Sequence, residues 1–163
     1  MSRQVLEVEA LLQAITAEQV KMLKHVEVQQ AAMKAFDLAG MDAASKTQEA
    51  ARLRIVTLEN KRRSAVAGLA KLHGFTGTMR VEDIAQLYPA RAQPLRKLRD
   101  ELRDVMIQLA ARTHVAGRIA GAVLGHLNTV VRIVAGAVEK AGIYTKHGVP
   151  QVSARIRMME AVG

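Results

Sequence analysis

Residues 94–141 read PLRKLRDELRDVMIQLAARTHVAGRIAGAVLGHLNTVVRIVAGAVEKA. No proline follows Pro94 in this stretch, and apolar residues recur mostly at steps of three and four, the repeat of a helix that buries one face. This spacing predicts one long helix over about 94–141. The positions of the repeat are Leu95, Leu98, Leu102, Val105, Leu109, Ala116, Ile119, Val123, Val130 and Ala137.

The two stretches before this helix carry the same kind of repeat. Residues 3–38 and 43–73 each place apolar side chains on one stripe with polar residues between them. Gly40 and Asp42 separate the two stretches, and Asp42 is suited to cap the second helix. Gly74 is a natural stop for it. The glycine- and proline-containing segment that follows predicts a loop with one short helix over 81–87.

The composition agrees with an all-α fold. The chain has 163 residues but only two Phe, two Tyr and no Trp, so its apolar side chains are almost all Ala, Val, Leu, Ile and Met. Such side chains favour close helix packing. We predict an elongated antiparallel three-helix coiled-coil-like bundle with a long C-terminal helix, forming one domain over 1–141, and a flexible tail over 142–163.

The lengths of the helices point to a surface that needs a partner. At about 1.5 Å per residue, the third helix outruns the second by about 17 residues, or roughly 25 Å. Its C-terminal part is apolar almost all round, and a soluble protein rarely leaves such a patch bare. We therefore predict that this part binds another polypeptide. The predicted binding residues are Val123, Leu124, Leu127, Val130, Val131, Val134 and Val138.

The same helix carries Gly117, Gly121 and Gly125 at intervals of four residues. A glycine inside a helix costs about 0.8 to 1 kcal/mol relative to alanine, so this spacing favours close approach of another helix. That helix is either the first helix of the chain or one from another molecule. Arg118 and Arg132 interrupt the apolar stretch and argue against membrane insertion, which favours a cytoplasmic protein.

The sequence predicts no catalytic residue, no cofactor and no metal site. It has no cysteine, and its five histidines form no pair at the spacing of metal ligands on a helix. The formal net charge of +9 raises nucleic acid as an alternative partner. Arg52, Arg54, Lys61, Arg62 and Arg63 are the candidate cluster, although no aromatic residue lies among them for base stacking.

The layout resembles the FlgN-type flagellar export chaperones. The resemblance rests on Asp42, on the Leu53 to Leu58 seam leading into Glu59, Arg62 and Arg63, and above all on the segment from Gly142 to Gly148, GIYTKHG. It covers most of the chain. Most of it is helical pattern, and the tail from Tyr144 to Gly148 is its most specific part.

This resemblance implies a cytoplasmic chaperone without ATPase activity. It implies that the chain binds the C-terminal segment of flagellar hook-associated proteins, which form the hook–filament junction, and delivers them to the export gate protein of the flagellar type III apparatus. It also implies that Tyr144 contacts the gate. A homodimer remains an expectation, and a structural self-associating coiled coil remains an alternative function.

Overall fold

The computed structural model describes residues 3–143, with side chains described for residues 3–137. No strand occurs in this part of the chain, which confirms the predicted all-α class. The helices are α1 (Arg3–Lys34), α2 (Leu38–Leu72), α3 (Val81–Leu87) and α4 (Ala92–Ile143), with a 3₁₀ turn (Pro89–Arg91) between the last two.

Contacts divide the chain into two compact units, 1–120 and 121–163. The boundary falls inside the range 1–141 that the sequence analysis treated as one domain. Helix α4 contributes residues to both units, and the described part of the second unit is helical from 121 to 143. The predicted flexible tail over 142–163 falls almost entirely outside the described residues, and its first two positions belong to α4.

The turn between α1 and α2 is built around Phe36, whose φ of 54° is left-handed. The amide of Phe36 donates to the Met33 carbonyl at 3.2 Å and the amide of Asp37 donates to the Ala32 carbonyl at 2.9 Å. These two bonds form a Schellman motif, in which glycine is the usual left-handed residue. The Asp37 side chain then accepts a hydrogen bond from the Gly40 amide at 3.0 Å and caps α2.

The predicted start of the second helix after Asp42 is therefore wrong. Gly40 and Asp42 both lie inside α2, and Asp42 instead pairs with Lys46 one turn further along. Both aspartates precede an apolar repeat, so the pattern alone does not separate them. The left-handed Phe36 is the reason that the helix starts at the earlier one.

The end of α2 has the same Schellman motif, here with glycine as the left-handed residue. Gly74 has φ of 62°, and the amide of Phe75 donates to the Ala70 carbonyl at 2.8 Å. The predicted stop at Gly74 is confirmed. Leu72, however, an apolar residue within the second predicted stripe over 43–73, is 64% exposed. It is the last residue of α2, where the neighbouring helix no longer covers the seam.

Helices α1 and α2 run antiparallel. Arg54 donates to Glu18 at 3.0 Å, and Gln48 donates to the backbone carbonyl of His25 at 3.2 Å. The earlier residue of α2, Gln48, thus contacts the later residue of α1, which is the order expected of antiparallel helices. The short side chains of Ala44 and Ala51 are buried in this hairpin.

The first part of α4 runs parallel to α1. Arg91, directly before α4, donates to Glu9 at 2.8 Å, and the Gln30 amide donates to the Arg112 carbonyl at 2.9 Å. Both pairs are separated by 82 residues, which fixes one register along the two helices. Gln30 and Glu9 are the buried polar residues of α1, so these bonds satisfy groups that water does not reach.

The main core lies where the start of α1, the end of α2, α3 and the start of α4 meet. Arg96 and Arg99 of α4 both donate hydrogen bonds to Glu82 of α3. These bonds connect α3 to α4. Hydrogen bonds and charge from these guanidinium groups hold the pKa of Glu82 below its ordinary value. The buried members of the core are Val5, Val8, Leu12, Leu69, Ala70, Met79, Ile84, Ala85, Leu95 and Leu98.

Helix α4 starts two residues before the position predicted for it. The 3₁₀ turn ends at Arg91 and α4 begins at Ala92, so Pro94 lies inside the first turn. A proline is tolerated there because the amide groups of the first turn have no acceptor within the helix.

Replacing Asp37 by alanine tests the corrected start of α2. Loss of the cap is expected to lower the free energy of unfolding by about 0.5 to 2 kcal/mol, measured by urea titration. Asp42→Ala is the matched control and is expected to cost no more than about 0.5 kcal/mol, since it removes one exposed ion pair. A larger loss from Asp42→Ala than from Asp37→Ala would contradict the assigned cap.

Candidate partner-binding surface

The candidate surface lies on α4 between 121 and 137. At about 100° per residue, Val123, Leu127 and Val130 fall close to one line along the helix. This line has the same alternating three- and four-residue steps as Leu95 and Leu98 at the start of α4. Leu95 and Leu98 are buried, and Ala116 is the last buried residue among the described positions of α4.

All but one of the predicted binding residues with described side chains are exposed. Leu124 is 66% exposed and Val130 41%, and Val123 is half-buried. Ile133 is also 66% exposed, and the sequence analysis missed it. It follows Val130 by three residues, a helical step that could have revealed it. The side chain of Val138 lies outside the described residues. We call the following set the α4 apolar strip: Val123, Leu124, Leu127, Val130, Val131, Ile133 and Val134.

The charge around the strip is sparse. The sequence contains no carboxylate between Asp104 and Glu139, and Arg132 is the one Lys or Arg between 121 and 137. Arg132 lies about 160° around the helix from Val134, because a two-residue step turns the helix by about 200°. Arg132 therefore lies on the other side of the helix from Val134, whereas His126 lies within the arc of the strip, between Val130 and Ile133.

The predicted close-packing glycines lie in open space within the described structure. A Cβ added at Gly117, Gly121 or Gly125 would meet no atom within 4 Å. This open space does not identify which helix would approach the glycines. Contact with another molecule stays a proposal. Gly121 and Gly125 lie on the side of α4 that carries Arg132, away from the strip's centre.

The apolar content of α4 satisfies one criterion for a membrane span. Within the described part of the helix, an 18-residue window reaches a mean hydropathy of 1.4, and none of that window is buried. A single helix of this kind is weak evidence for a membrane span. Length and composition do not separate it from a helix whose apolar surface receives a partner.

The basic cluster of α2 is largely paired within the chain. Arg52 donates to Glu49 at 2.8 Å and Arg62 donates to Glu59 at 2.8 Å, while Arg54 bonds to Glu18 of α1. Hydrogen bonds from Lys21 and Arg54 hold the pKa of Glu18 below its ordinary value. Cations that already face carboxylates bring less net charge to a phosphate backbone, so the structure adds no support for nucleic-acid binding.

An open groove of about 870 Å³ runs between α1 and the start of α4. Its charged side chains are paired with each other or with α3: Arg91 with Glu9, and Lys97 with Glu101 at 3.8 Å. Among the residues with described side chains, no group of three or more His, Cys, Asp or Glu could hold a metal ion. The pair Arg91–Glu9 joins the turn before α4 to α1, and the pair Lys97–Glu101 lies within α4.

Taken together, these features define an all-α protein with an uncharged apolar helical surface. The chain belongs to the FlgN family, whose model, described as FlgN protein, matches residues 1–151. In the other two comparisons, no curated protein and no solved structure matches the chain.

Membership of this family carries a general function. FlgN proteins are flagellar export chaperones that bind flagellar hook-associated proteins, and as a family they are soluble, cytoplasmic and not known as enzymes. The match includes Tyr144, which lies outside the described residues.

Substituting Gly121 by alanine tests whether another helix packs against the side of α4 that carries Gly121 and Gly125. Because no atom lies near the added Cβ, the substitution is expected to stabilise the helix by about 0.8 to 1 kcal/mol, seen as a higher thermal midpoint by circular dichroism. Gly40→Ala is the contrasting variant, since its Cβ would lie 2.9 Å from Cγ of Asp37. Destabilisation by Gly121→Ala would show that another helix packs on this side.

Proposed function

We propose that this chain is a cytoplasmic chaperone that holds hook–filament junction proteins through their C-terminal segment and delivers them to the export gate. The α4 apolar strip is the binding surface in this proposal. The observation that supports it most is the exposure of large apolar side chains at helical spacing, including Leu124 and Ile133, in a chain of a chaperone family.

The strip suits an amphipathic helix. Helix-in-groove recognition uses anchors at i, i+3, i+4 and i+7, and Val123, Leu127, Val130 and Val134 have spacing of this type. Burying four such side chains contributes on the order of 6 to 12 kcal/mol before the costs of association, from about 1.5 to 3 kcal/mol each. Ordering and association offset much of this, so micromolar to nanomolar binding is expected.

Val130→Asp is the variant that tests the binding surface. It is expected to lower the affinity for the junction protein by at least about tenfold, because a carboxylate would have to be buried in an apolar contact. The helical circular dichroism of the isolated chain should stay unchanged, since Val130 is 41% exposed. Affinity is measured by calorimetry with the purified full-length junction protein.

Leu69→Asp is the matched control for that variant. Leu69 is fully buried in the main core, so this change is expected to unfold the chain. Equal loss of helicity from both substitutions would show that Val130 belongs to an ordinary core. A junction protein without its C-terminal segment should not bind, and undiminished binding by that truncated client would reject the proposal.

Tyr144 is proposed to act in delivering the junction protein to the export gate and not in binding the junction protein. Tyr144→Ala is expected to leave affinity for the junction protein within twofold and to reduce its export, measured as the amount of junction protein secreted by cells that carry the variant. Substitution of Tyr144 by phenylalanine distinguishes the ring from the hydroxyl group. A client pull-down that fails with Tyr144→Ala would contradict the proposed division of roles.

A stable homodimer is the competing use of the same surface. A dimer that buried the strip would leave no room for a client. Mass measurement over a dilution series separates the two, because a client-binding chain is expected to be monomeric at concentrations where it still binds the junction protein.

A further inference from the structure

An apolar patch lies in the first unit, where α2 and α3 end. Leu72 is the last residue of α2 and is 64% exposed, and Leu87 is the last residue of α3 and is 42% exposed. The residues that follow them join the two helix ends, because Nε2 of His73 lies 2.7 Å from the hydroxyl oxygen of Tyr88 and the two rings meet edge to face. This contact brings the two leucines into the same region of the surface.

Phe75 adds an aromatic side chain to this region. Its amide donates to the Ala70 carbonyl at 2.8 Å, which holds the start of the loop against the last turn of α2, and the residue is 40% exposed. In the described structure no atom lies within 4 Å of a Cβ added at Gly74, so the backbone beside Phe75 is open. We call the following set the α2–α3 patch: Leu72, Phe75 and Leu87.

The charge around the α2–α3 patch has one sign. The sequence has five Lys or Arg and no carboxylate between Glu59 and Glu82. Two of these cations, Lys71 and Arg80, flank the loop, are exposed and form no ion pair in the described part of the chain. The carboxylates of α3 are engaged, since Glu82 accepts from two arginines of α4 and Asp83 accepts from the backbone amide of Arg80 at 2.7 Å. The patch therefore presents unpaired positive charge beside apolar side chains.

We propose that the α2–α3 patch binds an acidic segment of another protein, in which Asp or Glu residues lie between apolar side chains. The carboxylates of that segment pair with Lys71 and Arg80, and its apolar side chains bury the patch. Complementary charge steers such a partner and fixes its orientation, whereas apolar contact supplies most of the affinity. The patch lies in the first unit and is distinct from the α4 apolar strip, so this inference does not depend on the proposed function.

An acidic polypeptide fits this surface better than other anionic partners do. A nucleic acid binds through its phosphates and through bases that stack on aromatic rings, and neither group suits the aliphatic side chains of Leu72 and Leu87. A lipid surface requires apolar side chains that enter the bilayer, but the middle of the loop, residues 76–78, is polar and exposed. A polypeptide supplies both the carboxylates and the apolar side chains that the patch requires.

The test uses a fluorescently labelled peptide of about 16 residues, in which leucines recur at steps of three and four and glutamate or alanine fills the other positions. Fluorescence anisotropy measures its affinity for the full chain. Lys71→Glu is expected to lower this affinity at least about fivefold, because a like charge then faces the peptide. Arg63→Glu is the matched control, since Arg63 is also exposed on α2 and the net charge changes equally. The control is expected to change the affinity less than twofold.

Leu72→Ser tests the apolar part of the patch. It is expected to lower the affinity for the same peptide at least about threefold, because a buried apolar contact is lost. Leu53→Ser replaces another exposed leucine of α2 and is expected to change the affinity less than twofold. Both leucines are more than half exposed, so circular dichroism should show an intact fold in each variant.

The outcomes separate this inference from the proposed function. Val130→Asp is expected to leave the affinity for the peptide within twofold. Loss of peptide binding in Val130→Asp, with unchanged binding by Lys71→Glu, would place the peptide on the α4 apolar strip and overturn the inference with the proposed function intact.

Three further probes test the chemistry of the partner. A peptide with lysine in place of every glutamate should not bind. Equal binding by that peptide, or no saturable binding of the acidic one, would overturn the inference. Binding of oligothymidylate or of vesicles containing phosphatidylserine that Lys71→Glu weakens, without binding of the acidic peptide, would assign the patch to phosphate groups and overturn it as well.

Discussion

The apolar repeat of α4 is the constraint on which the rest of the structure depends. Its steps of three and four residues keep one face of the helix apolar from Leu95 to Val134. At the start of the helix that face is buried against α1, α2 and α3, with Leu95 fully enclosed. Near its end the same pattern is exposed, with Val134 at 55%. One periodic pattern thus forms both a core and an exposed surface, which is the surface proposed to bind a client.

Polar contacts between helices fix the register of the first unit. The buried Glu9 of α1 accepts from Arg91, and the buried Gln30 of α1 donates to the Arg112 carbonyl. The two partners are 82 residues apart in both pairs. Apolar side chains such as Val and Leu pack in several registers, whereas a buried carboxylate or amide without its partner is costly. These bonds therefore select one alignment of α1 with α4, and Gln48 selects one alignment of α1 with α2.

The fold class and the exposed apolar residues near the end of α4 were predictable because both follow from the spacing of apolar residues. The stop at Gly74 was predictable because glycine is the usual left-handed residue. The start of α2 was not, because Phe36 takes a left-handed conformation that its type disfavours, and two aspartates compete for the cap. Ile133 was missed although it follows Val130 by one helical step, and its exposure of 66% equals that of Leu124. The ion pair of Arg54 with Glu18 joins residues far apart in sequence, so the spacing of apolar residues could not predict it.

Hydrogen–deuterium exchange tests the central claim most directly, since it compares every helix of the chain in one experiment. The account predicts that the full-length junction protein slows amide exchange in 121–137 and leaves exchange in α2 unchanged. Protection confined to α1 and α2, with exchange in 121–137 the same with and without the client, would contradict it.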